Sequence, residues 1–172
     1  MKHTSIDTLK QLISLPAKSF AIIPHRNPDG DAIGSSLGLY HVLKQLGHKV
    51  EIISPNEYPN FLAWMPGTAA IKIYDFNKTA GQHILKNSDC IFTLDFNILS
   101  RTGDEMGAFL ASLPNDFVMI DHHQMPGDYA KLTFSDTSFG STCELLYSLL
   151  EQMDLTDLVH QEAATCIYTG IV

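Results

Sequence analysis

The sequence contains few cysteines and no long apolar run, and each absence excludes a class of protein. Its 172 residues include three cysteines, Cys90, Cys143 and Cys166, and they form no CxxC pair. We therefore expect no disulfide framework and a reducing, cytoplasmic compartment. No apolar run approaches the ~18 residues that a membrane-spanning helix needs. Asp7 and Lys10 interrupt the region where a signal peptide would be apolar, so we expect no membrane partner.

Basic residues are also scarce. Eleven Lys and Arg face 19 Asp and Glu, which gives a formal net charge of -8. A protein that reads duplex DNA normally carries a basic face, so we expect this domain alone not to bind duplex DNA. The length fits a single domain, and 45% hydrophobic with 17% charged residues is typical of a globular one. An acidic excess also fits carboxylates that surround metal ions.

Apolar segments of two kinds alternate along the chain. Short continuous apolar runs predict strands at 20–24, 49–54, 71–74, 90–95 and 117–121. Helical spacing of apolar residues predicts helices at 6–13, 33–46, 58–65, 142–153 and 156–170. This alternation predicts an α/β fold: a three-layer domain with a mainly parallel central sheet flanked by helices on both faces.

Three of the predicted strands run directly into imidazole and carboxylate side chains. The first strand is followed by residues 25–31 (HRNPDGD), the fourth ends at Asp95, and the fifth is followed by residues 121–123 (DHH). In parallel sheets ligands bind at the carboxyl ends of the strands, so these groups should share one edge. Imidazole and carboxylate suit a divalent ion such as Mn²⁺. Their number fits two ions about 3.5–4 Å apart that share one carboxylate.

Each of these segments also has a purely structural interpretation. The NPDG sequence at 27–30 is a good β-turn, Asp95 could cap a strand end, and adjacent histidines are weak evidence of a ligand. Their joint placement at three strand ends favours a metal site. The helix that begins near Ala32 points its amides at the same edge, where they would favour a bound anion. No GxxxxGK[ST] or GxGxxG motif accompanies it.

The motifs HRNPDGDAIGSS (25–36), the strand end at Asp95 and IDHHQMPGDYA (120–130) together resemble the DHH phosphoesterases. The resemblance covers roughly residues 18–172. It implies a parallel α/β domain with a two-manganese site that hydrolyses phosphate esters or anhydrides. The run PDGDAIGSSLGLYHVLKQLGHKV and the later GSTCELLYSLL are most similar to the nanoRNase/pAp phosphatase branch. That branch acts on very short single-stranded RNA and on adenosine 3′,5′-bisphosphate.

The resemblance also implies a set of metal ligands. His25 and Asp29 match the ligands of the first Mn²⁺ ion, and Asp31 and His122 match ligands of the second. Asp95 matches the carboxylate that bridges the two ions.

Four further residues match positions around these ligands. Asp121 matches a buried carboxylate that orients a neighbouring imidazole. His123 and Arg101 match catalytic groups that face the scissile phosphate, where they would balance negative charge. Ser35 is a weaker candidate for a substrate-binding phosphate contact, because a serine in the first turn of a helix is equally common.

Several alternatives stay open. Related branches act on inorganic pyrophosphate, polyphosphate or cyclic dinucleotides, and a non-catalytic module that binds nucleotides or metal is a further possibility. Residues 1–172 match only the catalytic domain of the resembled family. Its C-terminal substrate-binding domain, and a metal-binding aspartate expected just after IYTGIV (167–172), are absent from this sequence. We therefore expect this chain alone to be weak or inactive, and the family resemblance makes a homodimer possible.

Overall fold

The computed structural model describes residues 3–14 and 16–172. At its centre lies a six-stranded sheet in which every neighbouring pair is parallel. The order of the strands is β3-β2-β1-β4-β5-β6. The strands are β1 (Ser19–Pro24), β2 (Lys49–Ser54), β3 (Ile71–Ile73), β4 (Cys90–Leu94), β5 (Asp116–Asp121) and β6 (Leu132–Ser135).

Helices connect the strands and cover both faces of the sheet. Over the described residues they are α1 (His3–Leu12), α2 (Gly30–Gln45), α3 (Lys78–Lys86), α4 (Asp104–Ala111), α5 (Thr142–Gln152) and α6 (Gln161–Ile171). Within that part of the chain, no helix combines the length and the apolar character needed to cross a bilayer.

Side chains along β1 alternate between the two faces of the sheet, and each face forms its own hydrophobic core. Phe20 and Ile22 point into a large core with α1, α2, α5 and α6, whereas Ala21 and Ile23 point into a smaller core with α3 and α4. All four side chains are fully buried. A strand buried on both faces reads as a continuous apolar run, which is why the sequence FAII predicts a central strand. The predicted three-layer α/β architecture is therefore confirmed.

Some predicted elements differ from the structure. The helix expected at 58–65 is reduced to a 3₁₀ turn at Asn60–Leu62, and the one expected at 156–170 is a 3₁₀ turn at Thr156–Leu158 followed by α6. The sequence interpretation omitted α3, α4 and β6. In β6 only Phe134 is buried, so this edge strand carries no apolar run.

The strand order places a crevice at the carboxyl edge of the sheet. The connection after β1 leads to α2 on one face, whereas the connection after β4 leads to α4 on the other. Because β1 and β4 are neighbours, their loops diverge at this point. Such a divergence is where open α/β sheets bind their ligands.

Candidate metal centre

The five residues predicted as metal ligands meet at the carboxyl edge of the sheet. In the first half of the cluster, Nε2 of His25 lies 3.5 Å from Oδ2 of Asp95 and 3.8 Å from Oδ1 of Asp29. These separations are too long for good hydrogen bonds. They fit ligand atoms that face one ion, because two atoms each about 2.1 Å from a metal lie roughly 3–4 Å apart.

The second half of the cluster uses the other oxygen of the same carboxylate. Nε2 of His122 lies 3.6 Å from Oδ1 of Asp95 and 3.7 Å from Oδ2 of Asp31. Asp95 therefore presents one oxygen to each half, while its side chain is only 2% exposed. One carboxylate that presents a different oxygen to each of two donor sets fits a pair of divalent ions.

Backbone contacts select the tautomer in which Nε2 of each imidazole is free. Nδ1 of His25 donates to the backbone oxygen of Arg26 at 2.8 Å. Nδ1 of His122 makes a longer contact of 3.4 Å with the backbone oxygen of Phe139. When Nδ1 carries the proton, Nε2 keeps its lone pair for a metal. In both residues that lone pair faces the carboxylates.

The loop after β1 places two of the carboxylates through the start of α2. Oδ1 of Asp29 accepts hydrogen bonds from the backbone amides of Asp31 and Ala32, both at 3.1 Å, and so caps the helix. This cap is compatible with a ligand role for Asp29, because a carboxylate has further lone pairs.

Asp95 has an unusual backbone conformation. Its φ of +65° lies in the left-handed region, which side chains with a Cβ rarely adopt. Its amide donates to the backbone oxygen of Ile120 at 3.0 Å, which fixes the residue against β5. Such strain is concentrated at functional sites. Here it turns the carboxylate inward at the point where β4 ends.

The start of α5 holds two of the carboxylates together, and the sequence interpretation missed this. The backbone amides of Thr142 and Cys143 donate to the carboxylate of Asp31 at 2.7 and 2.8 Å. The hydroxyl of Thr142 donates to Oδ1 of Asp95 at 2.8 Å. A signal was present: Ser141 caps α5 and Glu144 follows three residues later, a pattern that marks a helix start and hence an anion-binding end.

Burial and mutual repulsion make it unfavourable for all the carboxylates of the metal-free cluster to be ionised. Burial, followed by the nearby charge of Asp95, raises the pKa of Asp31 to about 6, despite the amides that favour its ionised form. Burial lowers the pKa of His25, but the nearby carboxylate of Asp95 and the hydrogen bond to the backbone oxygen of Arg26 outweigh it and leave the pKa raised. A divalent cation would relieve the repulsion between these carboxylates.

Asp121 and His123 form a tight pair beside the cluster. Nδ1 of His123 lies 2.7 Å from Oδ1 of Asp121, which is fully buried. The other oxygen of Asp121 has no hydrogen-bond partner within the described parts of the chain. The rings of His122 and His123 meet edge to face with centroids 4.6 Å apart. His123 is therefore held through Nδ1, and its Nε2 is left for another partner.

Arg101 and Ser35 occupy different environments. Arg101 is exposed in a 3₁₀ turn, and its backbone oxygen accepts from the amide of Arg26 at 2.8 Å. This bond ties its loop to the one that carries His25. Ser35 is fully buried, and its hydroxyl donates to the backbone oxygen of Asp31 at 2.7 Å. The structure therefore places Ser35 inside α2 and does not bring its hydroxyl to the cluster.

Known proteins are similar to this chain over most of its length. A model described as the DHH family, N-terminal domain, matches residues 19–171. The bifunctional oligoribonuclease and PAP phosphatase NrnA of Thermus thermophilus is 30% identical over 152 residues, 88% of this chain and 41% of its own length. NrnA of Bacillus subtilis is 29% identical over 154 residues, 88% of this chain and 45% of its own length.

Solved structures share the fold. An exopolyphosphatase-related protein from Bacteroides fragilis superposes with a TM-score of 0.94 at 40% identity, covering 99% of this chain and 49% of its own. RecJ from Thermus thermophilus in complex with Mn²⁺ has a TM-score of 0.50 at 19% identity, covering 89% of this chain and 21% of its own. This chain spans less than half the length of each of these relatives.

Proposed function

Because the chain belongs to the DHH family, we propose that it is the metal-binding part of a phosphoesterase that hydrolyses short single-stranded oligonucleotides or a nucleoside bisphosphate. One observation carries the hydrolytic role: the two oxygens of Asp95 face two separate sets of donors. A single structural ion or an ordinary cap would not need this division.

The donor set fits two Mn²⁺ ions. His25 and Asp29 would hold the first ion, Asp31 and His122 the second, and Asp95 both. Imidazole and carboxylate donors together favour Mn²⁺ over Mg²⁺, and RecJ structures have been solved with manganese. Two bound ions supply an activated water and positive charge at the phosphate.

His123 and Arg101 would complete the site on its exposed side. The buried carboxylate of Asp121 holds Nδ1 of His123, and in the imidazolium form of that ring the Nε2–H group would donate a hydrogen bond to a phosphate oxygen. Arg101 makes no side-chain hydrogen bond or ion pair within the described residues, so its planar fork of donors is free to bind the same phosphate. Both residues would stabilise the negative charge that grows during hydrolysis.

The substrate class follows from the relatives and from charge. The curated relatives are named for action on oligoribonucleotides and PAP. A net charge of -8 opposes binding of a long polyanion, whereas a short substrate has few phosphates to neutralise. We propose that substrate binding needs further residues of the family, so that residues 1–172 alone turn over weakly. The homodimer and the cytoplasmic location stay predictions.

Polyphosphate is the second candidate substrate, because the Bacteroides fragilis relative is named as exopolyphosphatase-related. Pyrophosphate and cyclic dinucleotides would use the same cluster. A non-catalytic binding module would bind Mn²⁺ or nucleotide without turnover. A panel of short RNAs, adenosine 3′,5′-bisphosphate, pyrophosphate, polyphosphate and cyclic dinucleotides, assayed with Mn²⁺, separates these alternatives.

The decisive variant is Asp95→Asn. It keeps the shape of the side chain and removes the charge that both donor sets share, so Mn²⁺-dependent release of phosphate from adenosine 3′,5′-bisphosphate should be abolished. Asp154→Asn is a matched control, because Asp154 also has a positive φ, of 58°, and its side chain is 87% exposed in an ion pair with Lys10. Equal activity of the Asp95 variant and the control would refute the bridging role.

A further inference from the structure

A cavity of about 570 Å³ lies among the loops at the carboxyl edge of the sheet. Arg26, which follows His25, forms one wall, and Thr102 and Gly103, which follow Arg101, form another. The amide of Arg26 donates to the backbone oxygen of Arg101 at 2.8 Å, so the two walls are joined. Two of the loops that line the cavity are therefore the loops that carry His25 and Arg101.

The position and size of the cavity are those of a ligand site. Its walls come from the loops after β1 and β4, which diverge to opposite faces of the sheet, and from the segment after β3. Open parallel sheets bind ligands at this point. Small-molecule sites typically enclose ~300–1,000 Å³, so the volume suits a nucleoside.

Both cations that line the cavity are already paired with carboxylates. Nη2 of Arg26 lies 2.6 Å from Oδ2 of Asp75, and the ammonium group of Lys78 pairs with Glu105. Asp104 adds a third carboxylate, which has no ion pair within the described residues. No cation is left to compensate a phosphate, and an uncompensated anion here would be repelled.

The same groups suit an uncharged polar ligand. Paired carboxylates keep lone pairs that can accept from hydroxyls, and the Lys78 ammonium group keeps N–H donors. This combination of acceptors and donors matches the hydroxyls of a ribose and the polar edges of a base.

We propose that this cavity binds the ribose and base of the substrate whose phosphate lies at the metal-ligand cluster, and that it does not accept a second phosphate. The inference rests on the proposed function and deepens it. In adenosine 3′,5′-bisphosphate, the scissile phosphate would lie at the cluster, the adenosine in the cavity, and the other phosphate outside it.

Adenosine binding tests the proposal without any turnover. Calorimetry in the presence of a chelator should show one saturable site for adenosine. Asp75→Asn and Lys78→Met should each weaken binding about tenfold, because each removes a charged hydrogen-bonding partner. Asp116→Asn and Lys131→Met are matched controls: these residues form an exposed pair at 2.6 Å where β5 begins, at the opposite edge of the sheet. Exposed pairs contribute little stability, so all four variants should fold.

Absence of adenosine binding would overturn the proposal, as would equal weakening by the control variants. Displacement of adenosine by inorganic phosphate under these metal-free conditions would overturn the exclusion of a second phosphate. The proposed function can fail separately. If the protein binds adenosine as expected but hydrolyses no member of the substrate panel with Mn²⁺, the proposed hydrolytic activity is refuted and the proposed adenosine site is retained.

Discussion

Thr142 should control how well the cluster binds metal, although it is not itself a proposed ligand. Its hydroxyl donates to Oδ1 of Asp95 at 2.8 Å, and both side chains are buried. Thr142→Val keeps the shape of the side chain and removes the donor. The Asp95 oxygen then loses a hydrogen bond in a site that water does not reach.

The size of the effect follows from that environment. A hydrogen bond to a charged group contributes about 1.5–3 kcal/mol, so the free energy of unfolding of the metal-free variant, measured in urea, should be lower by that amount. For a domain of this size the loss corresponds to a fall in Tm of about 3–12 °C. Groups that orient metal ligands typically change affinity about 10–100-fold, and calorimetric titration with MnCl₂ should show a decrease in that range.

Thr142→Ser is the matched control, because it retains the hydroxyl and loses only a methyl group. It should bind Mn²⁺ nearly as tightly as the wild type, at a stability cost of about 1 kcal/mol. If the valine and serine variants bind Mn²⁺ equally well, the hydrogen bond does not hold Asp95 and our account of the start of α5 is wrong.

Three other predictions concern neighbouring parts of the site. The pKa of Asp31, raised to about 6 in the metal-free protein, means that the folded state binds a proton more readily than the unfolded one. Stability of the metal-free protein should therefore fall as pH rises from 4 to above 6, by at most about 3 kcal/mol in urea titrations, while Mn²⁺ affinity rises. Gly34→Ala would place a Cβ 2.6 Å from the backbone oxygen of Cys166, so α2 and α6 must separate; we expect a loss of about 1–3 kcal/mol in urea unfolding. Asp121→Asn removes the ionised partner of His123, and steady-state turnover should fall roughly 10–100-fold.

For each of these three predictions, one experimental result would contradict the reasoning. Asp31→Asn should abolish most of the pH dependence of stability, and an unchanged slope would assign that dependence to other groups. Gly140→Ala is the control for Gly34→Ala, because its Cβ would meet only ordinary contacts, the nearest being a side-chain oxygen at 3.4 Å. Equal stability of the two alanine variants would contradict the close approach of α2 and α6. Wild-type turnover by Asp121→Asn would remove the positioning of His123 from the mechanism.

The sequence predicted the centre of the fold better than its edges. Strands β1, β2, β4 and β5 are buried over most of their length, so their apolar runs are visible without a structure. Helix α3 is only nine residues long and buries only Gly81 and Leu85, so few apolar positions mark it in the sequence. Its boundaries depend on the cap at Asn77 and on packing against the sheet, which a single sequence does not reveal.

In the site, too, some features could be predicted from the sequence and others depend on tertiary packing. Because the carboxyl ends of parallel strands meet at one edge, the convergence of His25, Asp95 and His122 could be predicted from topology alone. The contact between Thr142 and Asp95 joins residues 47 positions apart and depends on how α5 packs against the sheet. Ser35 shows the opposite error: its hydroxyl donates to the backbone oxygen of the residue four positions earlier, inside α2, and does not reach the site.

The start of α5 also bears on which cation the protein can accept. The amide and the hydroxyl of Thr142, together with the amide of Cys143, hold Asp31 and Asp95 at the same time, so the spacing of the two carboxylates is tied to the start of one helix. Widening that spacing would require displacement of an eleven-residue helix whose apolar face is buried in the larger core. Calcium prefers oxygen ligands at about 2.3–2.6 Å in a flexible shell, and this rigidity therefore disfavours it relative to smaller ions.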